Sequence, residues 1–327
     1  MLRFFRSSKT SVLVVVFLLG GLTWLHALVE PDVQQAGLYG TFLFGALVDL
    51  SDNIPSSAVW PGLILVLAFA GILIYVNNKL RLIDKVSYLP GLCYLLLIGG
   101  VPTIHRLNPE IIAGILIIIG FTQLVKSFES EKLSYQYFTA PIFISIATFF
   151  YQYAYVYMAV VWLAILLLRP GYWREWVFSV LGFAFPIFVA FSCFFLVDGD
   201  YTRMSAFFGE IFSLERLLPD LSIAGAVFFA TSISVVVFTF GHLMRYLGSK
   251  KIIIRNGYYI LILIAVTCTA LVCMAPDTLP FAWYIAAFPL SFFTANYLAT
   301  VRSVRWGTGI LIFLFASVII SQIIYLV

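Results

Sequence analysis

Two carboxylates and four cationic or imidazole groups are the residues best suited to chemistry. Glu30 and Asp32 stand in "LHALVEPDVQQ", directly after an apolar stretch. A carboxylate at a membrane edge can take the proton from an acceptor hydroxyl, which makes these two the candidate base. Arg203 and Arg216 belong to "DGDYTRMSAFFGEIFSLERLLPD", and His105 and Arg106 to "VPTIHRLNPE". A guanidinium holds a phosphate through two parallel hydrogen bonds, so these four are candidate contacts to a lipid phosphate. Tyr151 and Tyr155, in "FFYQYAYVYMAVVW", offer rings on which a sugar face can stack.

Each of these residues also has a plainer use. Glu30-Pro31-Asp32 has the form of a helix stop followed by a capped helix start. Arg203 and Arg216 suit lipid headgroup contact from an interfacial helix. His105 and Arg106 can complete the turn before Asn108-Pro109 opens a helix, and the tyrosines can form an interfacial aromatic belt.

The elements that position these residues are set by composition. Apolar residues make up 62% of the 327 and charged residues 10%, with a mean hydropathy of +1.04. Soluble domains carry about 25% charged residues. Lipid is therefore the expected solvent, and the chain reads as one integral membrane domain over 1–327. A spanning helix takes about 20 apolar residues. Eleven windows qualify: Ser11–Leu28, Val59–Val76, Val86–Val101, Pro109–Val125, Phe138–Phe150, Tyr153–Leu168, Trp176–Val197, Leu221–Leu243, Tyr258–Met274, Pro280–Leu298 and Trp306–Leu326. The predicted fold is an all-α polytopic membrane protein of about 11 transmembrane helices.

Basic residues orient the bundle. With a cytoplasmic N-terminus, 16 of the 19 Lys and Arg residues fall inside, and Arg106, Arg203 and Arg216 stay outside. The C-terminus is then external, as are 11 of the 15 acidic residues. Residues 1–27 also resemble a signal peptide, although Leu25 is a poor residue for the cleavage motif; an uncleaved first helix is expected. The two long loops, about 29–58 and 198–220, are both external, and each has a segment suited to lie in the interface. Ala36–Leu50 is apolar but short. In the second loop Met204, Phe207, Phe208, Ile211, Leu214 and Leu218 recur at helical spacing.

Other chemistry finds little support. The four cysteines lie in apolar runs and read as buried free thiols. His26, His105 and His242 are far apart in the chain, so no metal site is expected, and no cofactor is evident. There is no glycine-rich phosphate loop and no G-x-S-x-G elbow. Nothing points to nucleic acid. No acidic residue sits near a midplane, which counts against an ion-coupled pump.

The segments "LNPEIIAGILIIIGFTQLVKSF", "RPGYWREWVFSVLGFAFP" and "APDTLPFAWYIAAFPLSFFTANYL" resemble a family of uncharacterised polytopic inner-membrane proteins of the Bacteroidota. That resemblance implies the bacterial inner membrane and carries no activity. More distantly, the layout is similar to the GT-C membrane glycosyltransferases, whose base is an acidic residue of the first external loop; Glu30 and Asp32 match that position. The chain departs from them in being short and in lacking a large external domain and a later metal-binding acidic pair.

Three functions stay open. The first is work on a polyprenyl-phosphate-linked glycan at the external face, in envelope glycan or glycolipid biogenesis. The second is a non-catalytic subunit or assembly factor with membrane-protein partners. The third is a lipid or solute flippase or transporter. Membrane lipids are partners in all three.

Overall fold

The computed structural model describes residues 1–29, 59–83, 86–127, 135–168, 171, 173–198, 209, 223–275 and 279–326. Thirteen α-helices are described: α1 Leu2–Phe5, α2 Thr10–Leu22, α3 Leu25–Val29, α4 Val59–Leu80, α5 Leu89–Gly99, α6 Pro109–Lys126, α7 Gln136–Thr148, α8 Met158–Leu168, α9 Trp173–Asp198, α10 Ile223–Leu247, α11 Ile252–Met274, α12 Leu279–Thr300 and α13 Val304–Leu326. Two short 3-10 segments, Pro102–Ile104 and Gln152–Tyr157, join α5 to α6 and α7 to α8.

Among the described residues, six stretches are long and apolar enough to cross a membrane: Val59–Leu80, Pro109–Lys126, Trp173–Cys193, Gly225–Leu247, Ile252–Met274 and Val304–Tyr325. Thr10–Leu22, Leu89–Gly99 and Gln152–Leu167 are apolar but shorter. This is the build of a multi-pass membrane protein. Each of the eleven sequence windows falls on a described helix, and the first of them is broken at Thr23-Trp24 into α2 and α3.

The centre of the bundle is α5 against α12, and α5 is buried along its whole length. A helix that is apolar all round belongs inside, surrounded by other helices. Its neighbours are α2, α4, α12 and α13, while α12 also meets α6, α10 and α11. One flank is thinner. There α9 packs mainly on α7, with a smaller contact to α8, and most of its surface is exposed. Gly182 lets the two helices meet closely: a Cβ there would collide with the Phe138 carbonyl oxygen.

The two ends of the bundle differ in charge. At one end the Arg6 guanidinium donates to the Leu298 and Val301 carbonyls at 2.7 and 2.8 Å, satisfying the last turn of α12. Lys250 donates to Asn296 at 2.9 Å, and Tyr88 reaches the Ser8 carbonyl. Among the described Lys and Arg residues, Arg106 alone sits at the opposite end.

The tyrosines after α7 do not form an exposed belt. Tyr151, Tyr153 and Tyr157 are buried, because the 3-10 segment turns them into the core, where the Tyr157 hydroxyl meets the Cys268 Sγ at 2.8 Å. The thiols are all free, but only Cys93 and Cys268 are buried; Cys193 and Cys273 are exposed, since an apolar run in lipid need not face protein.

Candidate functional site

The end opposite the basic cluster carries a tightly held loop, residues 100–108. It exists because α5 stops at Gly99-Gly100 and Asn108-Pro109 starts α6, with proline in the first turn, where its missing N–H costs nothing. Carbonyls beyond the end of a helix need new partners. Side chains of α12, of α13 and of the loop itself supply them. Gln322 Nε2 donates to the Gly99 carbonyl at 2.9 Å and to the Thr23 carbonyl at 2.7 Å, tying α2, α5 and α13 together. Ser321 donates to Gly100 at 2.8 Å. Trp283 Nε1 donates to Leu97 at 2.7 Å, and the Tyr284 hydroxyl to Ile104. Asn108 Nδ2 donates to Ile104 and Arg106 at 2.9 and 3.1 Å. From α4, Gly62 lies flush against the loop; a Cβ there would be 2.6 Å from the Arg106 carbonyl carbon.

This clamp fixes His105 among aromatic neighbours. Trp24 stacks on it at 4.8 Å between ring centroids, 17° from parallel. His26, from α3, lies 5.0 Å away at 46°. Tyr325 of α13 meets His26 edge-on at 5.6 Å. His26, Ala27, Val59, Pro102, Thr103, His105, Arg106 and Tyr325 enclose a pocket of about 30 Å3. A space of that size holds one water or one ligand oxygen.

His105 is 3% exposed, and neither ring nitrogen makes a hydrogen bond of good geometry; the same holds for His26 Nδ1. Burial pushes the His105 imidazole down to about 3; the nearby His26 acts in the same direction, and the Ile98 carbonyl opposes them. The imidazole is therefore neutral at physiological pH, with one N–H to donate and one lone pair to accept. Buried polar groups are nearly always paired, and the exceptions call for an explanation. Glu110, in the first turn of α6, is also buried; its Oε2 lacks a hydrogen bond, and Arg106 is close enough for its charge to act on it.

Of the sequence candidates, His105 and Arg106 share this pocket. Tyr151 is fully buried and stands edge-on to Tyr153 at 5.6 Å, while Tyr155 packs near Phe149, Ile187 and Ala190; neither lines the pocket. Glu30, Asp32, Arg203 and Arg216 lie outside the described residues. His26, Trp24 and Tyr325 are the members that sequence reading missed. The signal for them was helix parity, which brings residues 24–26, 105 and 325 to one end. Among the described residues no group of three or more His, Cys, Asp and Glu side chains could hold a metal. Comparison with family models, with curated proteins and with solved structures gave no match.

Proposed function

We propose that this is an inner-membrane protein of cell-envelope glycan or glycolipid biogenesis, acting on a polyprenyl-phosphate-linked substrate at the end that carries the His26–His105–Arg106 pocket. In this reading the chain crosses eleven times, with its N-terminus in the cytoplasm and the pocket on the external side. One observation carries it: at the end otherwise poor in cations, a guanidinium and two imidazoles line one pocket. Arg106 and the imidazole N–H groups then supply donors to phosphate oxygens. Glu30 and Asp32 follow the last residue of α3 directly in the chain, which makes them the bases for an acceptor hydroxyl, in the manner of the GT-C enzymes. Arg203 and Arg216 are further phosphate contacts.

The test is sugar transfer from a polyprenyl-phosphate donor by purified protein in bilayers. Glu30→Ala or Asp32→Ala should lower turnover by about a hundredfold, the usual scale for a lost acid–base group, and Arg106→Gln should weaken use of the phosphate donor, all with normal insertion. Full activity in all three, and in Arg203→Ala and Arg216→Ala, rejects the assignment.

A second reading, a non-catalytic subunit, draws on α9, whose outer surface is bare of described neighbours. A stable partner that co-purifies in mild detergent, and is lost when that face carries polar residues, would favour it.

A further inference from the structure

We propose that the crevice between α10 and α13 holds the hydrocarbon chain of the same lipid whose phosphate places an oxygen in the His26–His105–Arg106 pocket. This rests on the phosphate reading above and adds the second half of the ligand.

The crevice has a volume of about 140 Å3 and includes Val227, Phe228 and Thr231 of α10 with Ala316, Ser321 and Ile324 of α13 among its walls. Its hydroxyls are already engaged. Thr231 donates to the Phe228 carbonyl at 2.9 Å, Ser317 to Leu314 at 2.8 Å and Ser321 to Gly100 at 2.8 Å. An apolar cavity of roughly this size, about 150 Å3, stays dry and accepts hydrocarbon. Val227, Ile320 and Ile324 are also strongly exposed, so the crevice opens at the perimeter of the bundle, where lipid chains are the solvent.

Continuity with the polar pocket identifies the occupant. Ile324 lines the crevice, and Tyr325, the next residue, lines the pocket. Successive residues of a helix rise about 1.5 Å and turn by about 100°, so the two spaces lie at the same level on neighbouring faces of α13. The loop repeats the arrangement. The Phe228 ring lies against Gly100, where a Cβ would be 2.0 Å from the ring, and Pro102 two residues later belongs to the pocket. An apolar slot beside a cationic, hydrogen-bonding recess matches an amphiphile with an anionic head. A neutral lipid would leave the recess unused, and a soluble phosphate would leave the slot empty.

Native mass spectrometry of the full chain with dodecyl phosphate, dodecanol and ethyl phosphate tests this. Wild-type protein should retain dodecyl phosphate at least tenfold better than dodecanol or ethyl phosphate. Ala316→Phe and Val227→Phe, which fill the slot from opposite walls, should weaken dodecyl phosphate about tenfold and leave ethyl phosphate unchanged. Arg106→Gln should weaken both phosphates. Loss with Arg106→Gln but none with either filling variant overturns the chain assignment while the phosphate reading stands. No loss with Arg106→Gln overturns the phosphate reading and this inference with it. Equal retention of dodecanol and dodecyl phosphate by the wild type overturns the inference without any variant.

Discussion

The imidazole of His26 lies 5.0 Å from that of His105, one carried by α3 and the other by the loop before α6. The pair exists because Gln322 ties the Thr23 carbonyl, just before α3, to the Gly99 carbonyl, at the end of α5. His26 is half-buried, but His105 is buried without a hydrogen bond of good geometry at either nitrogen, which is costly to a fold unless something uses it.

The first consequence is a pH dependence of stability. His105 titrates near 3 in the folded protein and near 6.5 when unfolded. Between those values the unfolded chain binds the proton and the folded one does not. Stability is therefore fully present above about pH 6.5 and falls as the pH drops, by at most about 1.4 kcal/mol per pH unit. Thermal unfolding in detergent should show a midpoint that declines from pH 7.5 to pH 5. His105→Phe should flatten that decline; an unchanged slope in the variant would assign it to other groups.

Gly62→Ala should damage the site without touching a titratable group. The added carbon would lie 2.6 Å from the Arg106 carbonyl carbon, which is backbone and has no rotamer to yield. Overpacking of this kind costs about 1–3 kcal/mol. The loop must shift, so the variant should show a lower unfolding midpoint and altered Trp24 emission, because Trp24 stacks on the displaced His105. A variant with wild-type values for both would mean that α4 absorbs the methyl group.

Much of this architecture was legible in the sequence. Apolar length located the helices, and the uneven placement of Lys and Arg put Arg106 at the end poor in cations. The His26–His105 pairing was not legible. It depends on the break at Thr23-Trp24 and on the hydrogen bonds of Gln322, and neither changes hydropathy. The burial of Tyr151, Tyr153 and Tyr157 was hidden for a similar reason: a 3-10 segment redirects side chains that a straight helix would have spread around its circumference. The split among the cysteines follows from which side of each helix meets protein, and a run that is apolar throughout does not encode that.

Gln322→Leu should show how far the loop depends on α13. The substitution keeps similar bulk and removes both donors, leaving the Thr23 and Gly99 carbonyls without this partner. Unpaired buried groups cost about 1–3 kcal/mol each. The unfolding midpoint should fall by more than for Gln322→Glu, whose un-ionised carboxyl can still donate one hydrogen bond. Equal losses in the two would show that the amide packs rather than bonds.

Thiol labelling tests the packing of the bundle at four points. Cys193 on α9 and Cys273 on α11 are exposed, while Cys93 on α5 and Cys268 on α11 are buried, the latter against the Tyr157 hydroxyl. An apolar maleimide applied to the folded protein in detergent should add two labels, and unfolding in dodecyl sulfate should raise that to four. The double variant Cys193→Ser, Cys273→Ser should take up none until it is unfolded. Cys268 is the informative site, because it lies five residues from Cys273 on the same helix. If it labels as fast as Cys273, α11 does not hold its inner face against the 3-10 segment that buries Tyr157, and the packing that encloses the core at that end is wrong.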